Sequence, residues 1–189
     1  YLVCWMEHSM ETRCTLADSD AAPAGMEPFR VPWTGPGTFL AASGSGFVIV
    51  DGRRRAASSG FVATRISQAG AVLGEFMLLS DPAGTATRPD VLDVAGSLLI
   101  SWKQTPGDKA MAALAVGDGG LVPAGGLELS TGLQTFSQPT MATRGEQVLV
   151  AWVQSTADGG RQIARALVDV DAGLSKLADF ALSSASGTV

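Results

Sequence analysis

The sequence predicts an all-β fold assembled from repeated four-stranded units. Three observations carry that expectation. A pattern of residues recurs at a spacing of about 50. The apolar residues fall in runs of strand length closed by turn formers. No run holds the i, i+3, i+4, i+7 spacing of an amphipathic helix over three turns without meeting a breaker. Composition agrees. Gly 23 and Pro 9 fill about one position in six and charged residues are only 16%, which favours many short elements over long helices. At 46% hydrophobic, the 189-residue chain has the material for a real core and is not a disordered segment.

The repeat is tightest in the second half. Arg88-Pro89-Asp90-Val91 aligns with Gln138-Pro139-Thr140-Met141, a spacing of 50 in the numbering. At the same spacing Ser97–Gln104 falls on Gln147–Gln154, so that Leu99 meets Leu149, Trp102 meets Trp152 and Gln104 meets Gln154. A polar turn follows each Trp, Thr105–Asp108 or Ser155–Gly160. Next comes a second apolar segment, Met111–Val116 or Ile163–Val168, and a Gly turn at Gly119-Gly120 or Ala172-Gly173. The last segment closes on Leu127-Glu128-Leu129-Ser130 or Phe180-Ala181-Leu182-Ser183.

The first half follows more loosely. Thr38–Ala42, Phe47–Val50, Phe61–Ile66 and Val72–Leu79 supply four segments, with Gly70 in the third turn. Asp51 or Val50 stands where the other units have Trp. Before them, Leu2-Val3-Cys4-Trp5 matches Leu149-Val150-Ala151-Trp152, and Cys14–Ala17 and Met26–Val31 continue the unit. The first unit therefore lacks its opening strand. The expectation is fifteen strands in units of approximately 1–34, 35–84, 85–134 and 135–189. Gln162–Val168, the best helical candidate, is too short to stand alone. Four-stranded units at this period predict a β-propeller, in which stacked blades cover one another's faces. Trp5, Trp102 and Trp152 then read as wedges between blades; Trp33 is less determined.

The two cysteines sit in the first unit. Leu2–Glu7 and Glu11–Leu16 read as strands around His8-Ser9-Met10, and a loop centred on Ser9 puts Cys4 opposite Cys14. Opposed Cβ atoms at a non-hydrogen-bonded antiparallel pair come within disulfide range. The alternative is two buried thiols. A bridge implies an oxidising compartment: periplasm, cell surface or outside.

Pro139, Leu149-Val150-Ala151-Trp152 and Ala166-Leu167-Val168 ahead of Gly173 give the units a recognisable form. They resemble the propeller repeats of secreted bacterial surface proteins and lipoproteins, which carry a Pro before the first strand and an aliphatic-aliphatic-x-Trp second strand. The resemblance covers nearly the whole chain and implies no shared catalytic residues. The WD, kelch and sialidase signatures are missing.

Chemistry is sparse. The net charge is −5, which disfavours nucleic acid, whose binding needs concentrated positive charge. Arg53-Arg54-Arg55 is the one basic run, expected as a solvated loop tip. No apolar run approaches the roughly 20 residues of a membrane-spanning helix. The single His, His8, sits at a hairpin tip, and the single Tyr is Tyr1, so nucleophile and base sets are missing. Gly44-Ser45-Gly46 lacks the full nucleophile-elbow spacing. Gly35-Pro36-Gly37 lacks the third Gly of a dinucleotide loop. Asp90, Asp93, Asp118, Asp169 and Asp171 are the carboxylates that could meet in space. Asp169-Val170-Asp171-Ala172-Gly173 has too few oxygen ligands for a calcium loop and reads as a turn.

The expected function is an extracellular or cell-surface binding or scaffold module. It recognises a protein or glycan partner through blade-end loops, with no catalytic, cofactor or metal site of its own. The alternative is a portion of a larger glycan-active hydrolase. Three full units and one short unit also predict an incomplete ring. The chain opens directly on an apolar strand at Tyr1, without an initiator Met or a basic leader, which reads as a processed, trimmed or incompletely represented sequence. Closure could come from residues near Ala185–Val189 folding back, from two chains pairing, or from further blades. The last is expected, because Ala185–Val189 offers little apolar content.

Overall fold

The computed structural model describes residues 1–6, 12–18, 20, 27–31, 39–44, 46–55, 58–81, 86–94, 96–115, 121–130, 132–145, 147–170 and 174–181. Among them are fifteen strands in four antiparallel sheets, each a simple up-and-down meander. Blade 1 is the three-stranded sheet β1 (Leu2–Met6), β2 (Thr12–Leu16) and β3 (Phe29–Val31). Blade 2 holds β4 (Phe39–Ser43), β5 (Gly46–Arg55), β6 (Ser58–Ser67) and β7 (Val72–Asp81). Blade 3 holds β8 (Ala86–Val94), β9 (Ser97–Gln104), β10 (Lys109–Ala115) and β11 (Leu121–Glu128). Blade 4 holds β12 (Thr140–Arg144), β13 (Gln147–Ser155), β14 (Arg161–Asp169) and β15 (Ser175–Ala181). β4 neighbours β8 and β8 neighbours β12, so the opening strands gather on one axis. The protein is a β-propeller array.

Three cores lie between successive blades. Leu2, Cys14 and Val31 of blade 1 pack on Ile49 and Ile66 of blade 2. Val48, Val50, Phe61 and Ala63 of blade 2 pack on Ile100, Trp102, Met111 and Ala113 of blade 3. Leu99, Ala110, Ala112 and Leu114 of blade 3 pack on Val148, Val150, Trp152 and Ala166 of blade 4. The period of two along each strand therefore sends alternate side chains to the preceding and following blade. We call these the front and rear faces.

That alternation settles the position sequence alignment left open. Ile49 faces blade 1 while Val48 and Val50 face blade 3, so Asp51 points to the front, as Trp102 and Trp152 do. Asp51 takes the Trp place, and it is buried. Trp102 is wholly buried, its ring edge-on to Phe61 at 5.7 Å. Trp5 departs from the expected wedge. Its blade has no predecessor within the chain, and its ring is 37% exposed.

Other expectations change in detail. Arg53–Arg55 is not a loop tip: its backbone continues β5, paired with Gly60, Ser59 and Ser58 of β6. Gln162–Val168 is strand, within β14. Pro89 lies inside β8 rather than before it, at the register break between Thr87 and Asp90, where a missing N–H costs no ladder bond. Leu129 and Ser130 fall just past β11, with Leu129 wholly buried. His8, Trp33, Gly35–Gly37, Ser45, Asp118, Gly119-Gly120, Asp171–Gly173 and Leu182–Val189 lie outside the described residues.

The expected hairpin register is present. Leu2 pairs Leu16 and Cys4 pairs Cys14, and a Cys4–Cys14 disulfide joins Cα atoms 4.1 Å apart. It staples a sheet one strand short of the others, where burial alone contributes least. Replacing both cysteines by Ser should lower stability by up to about 3 kcal/mol, the loop-closure limit for so short a ring. Urea unfolding with and without reductant measures it. An unchanged midpoint would make the bridge structurally idle.

Candidate functional site

The best-defined polar assembly lies at the blade ends where β9 turns into β10 and β13 into β14. The turn Thr105–Asp108 places Gly107 and Asp108 at φ 103° and 46°. A non-glycine residue adopts this left-handed conformation at low cost only when it is Asn or Asp. The Asp108 carboxylate receives Lys103 Nζ at 2.8 Å and Gln134 Nε2 at 2.9 Å. Its carbonyl accepts the Thr135 N–H at 2.7 Å. One turn of blade 3 thus holds the linker that leads into blade 4.

The linker is also laced to β13. Ser155 N–H donates to Gln134 O at 2.8 Å, Phe136 N–H to Val153 O at 2.7 Å, and Val153 N–H to Ser137 Oγ at 2.8 Å. Gln138 Oε1 accepts the Lys103 N–H at 3.2 Å. In the next turn Asp158 accepts from Thr156 Oγ1 and, at 3.5 Å, from Gly160 N–H. The result is a fixed surface with Gln134, Phe136, Asp158 and Arg161 exposed. The Arg161 guanidinium lies 4.5 Å from the Phe136 ring centre.

Charge is held on this surface. The Lys103 and Gln134 hydrogen bonds keep the Asp108 carboxyl below its usual range. The Thr156 hydroxyl does the same for Asp158. For Asp108 the folded value is depressed, so its contribution is present above the unfolded value near 4 and is lost as pH falls through the folded value. Asp108→Asn keeps a residue suited to the left-handed turn and removes the charge. We expect it to cost about 1 kcal/mol at neutral pH. The difference from the parent should begin to shrink as pH falls below about 4 and vanish only beneath the depressed folded value, and paired melts at neutral and increasingly acid pH check it.

Of the carboxylates named from sequence, Asp118 and Asp171 lie outside the described residues, and Asp90, Asp93 and Asp169 do not converge. Asp90 Oδ2 accepts Met141 N–H at 2.8 Å and Thr140 Oγ1–H at 3.3 Å, tying β8 to β12 across the axis. Asp93 Oδ1 receives Gly96 N–H at 3.1 Å in the β8–β9 turn. Asp169 stands in another blade, opposite Gln147 and Ser175. Among the described residues no group of three His, Cys, Asp or Glu side chains is placed to hold a metal ion. Among the same residues no helix is long and apolar enough to cross a membrane.

Sequence reading marked Thr105–Asp108 and Ser155–Gly160 as turns but missed Gln134, Phe136, Gln138 and Arg161. Their roles arise from pairing between linker and β13, which no local motif announces. Neither a family model nor a curated protein matches the chain. Among solved structures it is similar to the GH43 endo-arabinanase from Bacillus licheniformis, at 13% identity and a TM-score of 0.45. The likeness covers 85% of this chain and spans 66% of that one.

Proposed function

We infer that this chain is a binding or scaffold module that uses its blade-end surface to recognise a protein or glycan partner, with no catalysis of its own. The observation that carries the reading is a hydrogen-bonded blade-end surface, on which the linker between blades 3 and 4 holds Gln134 and the β13–β14 turn holds Asp158, both solvent-exposed. A rigid polar surface loses little entropy on binding. The use of Asp90 and Asp93 as structural acceptors supports the same reading, because a general acid or base must be available to substrate. The disulfide supports a place outside the cell, on its surface or in a periplasm. That setting suits the secreted surface-protein repeats the units resemble.

A panel of soluble polysaccharides, glycosides and esters separates binding from turnover. The expected result is retention of the chain on a partner without product release. Weakening by Gln134→Ala or Asp158→Ala at an unchanged melting temperature would assign the surface. Product release by the purified chain would overturn the reading in favour of the hydrolase alternative.

A further inference from the structure

We propose that blade 1 hinges on blade 2: the junction between these two blades opens and closes while the junctions between blades 2 and 3 and between blades 3 and 4 stay shut. One position distinguishes the three inter-blade cores. Trp102 fills it between blades 2 and 3, and Trp152 fills it between blades 3 and 4. Between blades 1 and 2 the same position is Asp51, which is only 4% exposed.

Other polar side chains face the same junction. Ile49 is turned toward blade 1, and Thr64 is its partner across β5 and β6, so the two share a face. In blade 1, Cys14 is turned toward blade 2, and Thr12 precedes it by two residues on the same face of β2. Thr12 and Thr64 are buried as Asp51 is. Leu2, Cys14, Val31, Ile49 and Ile66 form the apolar part of the core here. A buried Trp stabilises a contact through its large apolar surface. A buried carboxyl contributes little even when it has a partner, as Asp51 does, because its desolvation offsets the attraction.

The other two junctions are pinned. Between blades 2 and 3, Trp102 meets Phe61 edge-on. Between blades 3 and 4, Asp90 accepts the Met141 N–H, Asp108 accepts from Gln134, and Lys176 Nζ donates to Leu129 O at 2.8 Å. Gln154 is buried there too, but it accepts from Trp152 Nε1 within the same core. Blade 1 moves as one body, because the Cys4–Cys14 bridge ties β1 to β2. A stapled blade on the junction with the weakest apolar core is a unit that opens at its own, lower free energy. The hinge rests on contacts between blades 1 and 2 and is independent of what covers the outer flank of blade 1. It is also independent of the recognition surface on blades 3 and 4.

Methyl relaxation-dispersion NMR on the oxidised 189-residue chain tests it. Leu2 and Val31 of blade 1 and Ile49 and Ile66 of blade 2 should share one microsecond-to-millisecond exchange process, with an open population of about 0.1–10%. Leu99, Ile100, Val148 and Val150, in the other two cores, should show none. Thr64→Val keeps the side-chain shape and replaces a buried hydroxyl with a methyl group, and should lower the open population about threefold or more. Thr12→Val repeats that measurement from the blade 1 side. Exchange shared by all three cores would overturn the proposal, as would its absence from all of them. Exchange at Leu2 and Val31 without Ile49 and Ile66 would report motion inside blade 1 and overturn it too. An open population unchanged in both Val variants would show that the polar junction is not what opens.

Discussion

Trp102→Ala should lower stability by about 3–5 kcal/mol, a large share of the margin of a domain this size. The ring is wholly buried between blades 2 and 3 and meets Phe61 edge-on. Removing it leaves a cavity bounded by strands that both blades hold rigid, so collapse is limited. Trp102→Phe should cost much less. The Trp102 Nε1 is buried without a hydrogen-bond partner, and Phe removes that unsatisfied donor while keeping an aromatic face toward Phe61. Trp152→Ala should behave differently from its repeat counterpart. Trp152 Nε1 donates to Gln154 Oε1 at 2.9 Å, so truncation also strips a buried Gln of its partner. Urea unfolding of the three variants, read by circular dichroism, gives the ordering. A Trp102→Ala midpoint close to the parent's would mean that the ring does not carry the inter-blade contact.

The fold was legible because its determinants are local and repeated. Strand-length runs such as Ser97–Gln104 and Gln147–Ser155 carry their own boundaries in Gly, Ser and turn residues, and the Trp at equivalent places exposes the period. The Cys4–Cys14 register followed from counting outward from one loop. What sequence could not deliver depends on partners distant in the chain. Asp51 occupies a Trp position, and only the facing of Ile49 toward blade 1 assigns it there. Arg53–Arg55 looks like a charged tip until its pairing with Ser58–Gly60 is seen to extend the ladder. Trp5 has the motif of a wedge, yet it is 37% exposed where Trp102 and Trp152 are buried. The blade-end surface was hidden for the same reason. Asp108 is an ordinary turn residue in the sequence, and becomes a hub only when Lys103, Gln134 and Thr135 converge on it.

Gly126→Ala should cost about 2–5 kcal/mol, although it adds a single methyl group. Gly126 sits in β11 at φ 88°, in the left-handed region where an L side chain costs about 1–2 kcal/mol. The added Cβ would also strike the Trp102 ring, overlapping Cη2 and lying 2.8 Å from Cζ2, with the Ala112 carbonyl oxygen 3.3 Å away. Trp102 cannot withdraw, because its opposite side is packed against blade 2. Overpacking of this kind adds about 1–3 kcal/mol. The two contributions separate in a double-mutant cycle. Phe has a single ring and lacks the indole atoms Cζ2 and Cη2, so Trp102→Phe removes the atoms that the new methyl would meet. In the Trp102→Phe background Gly126→Ala should retain the backbone cost of about 1–2 kcal/mol and lose most of the steric one. Additive effects would show that strain at φ, rather than the ring, reserves this position for glycine. A near-neutral Gly126→Ala in the parent would show that Trp102 does not lie over β11.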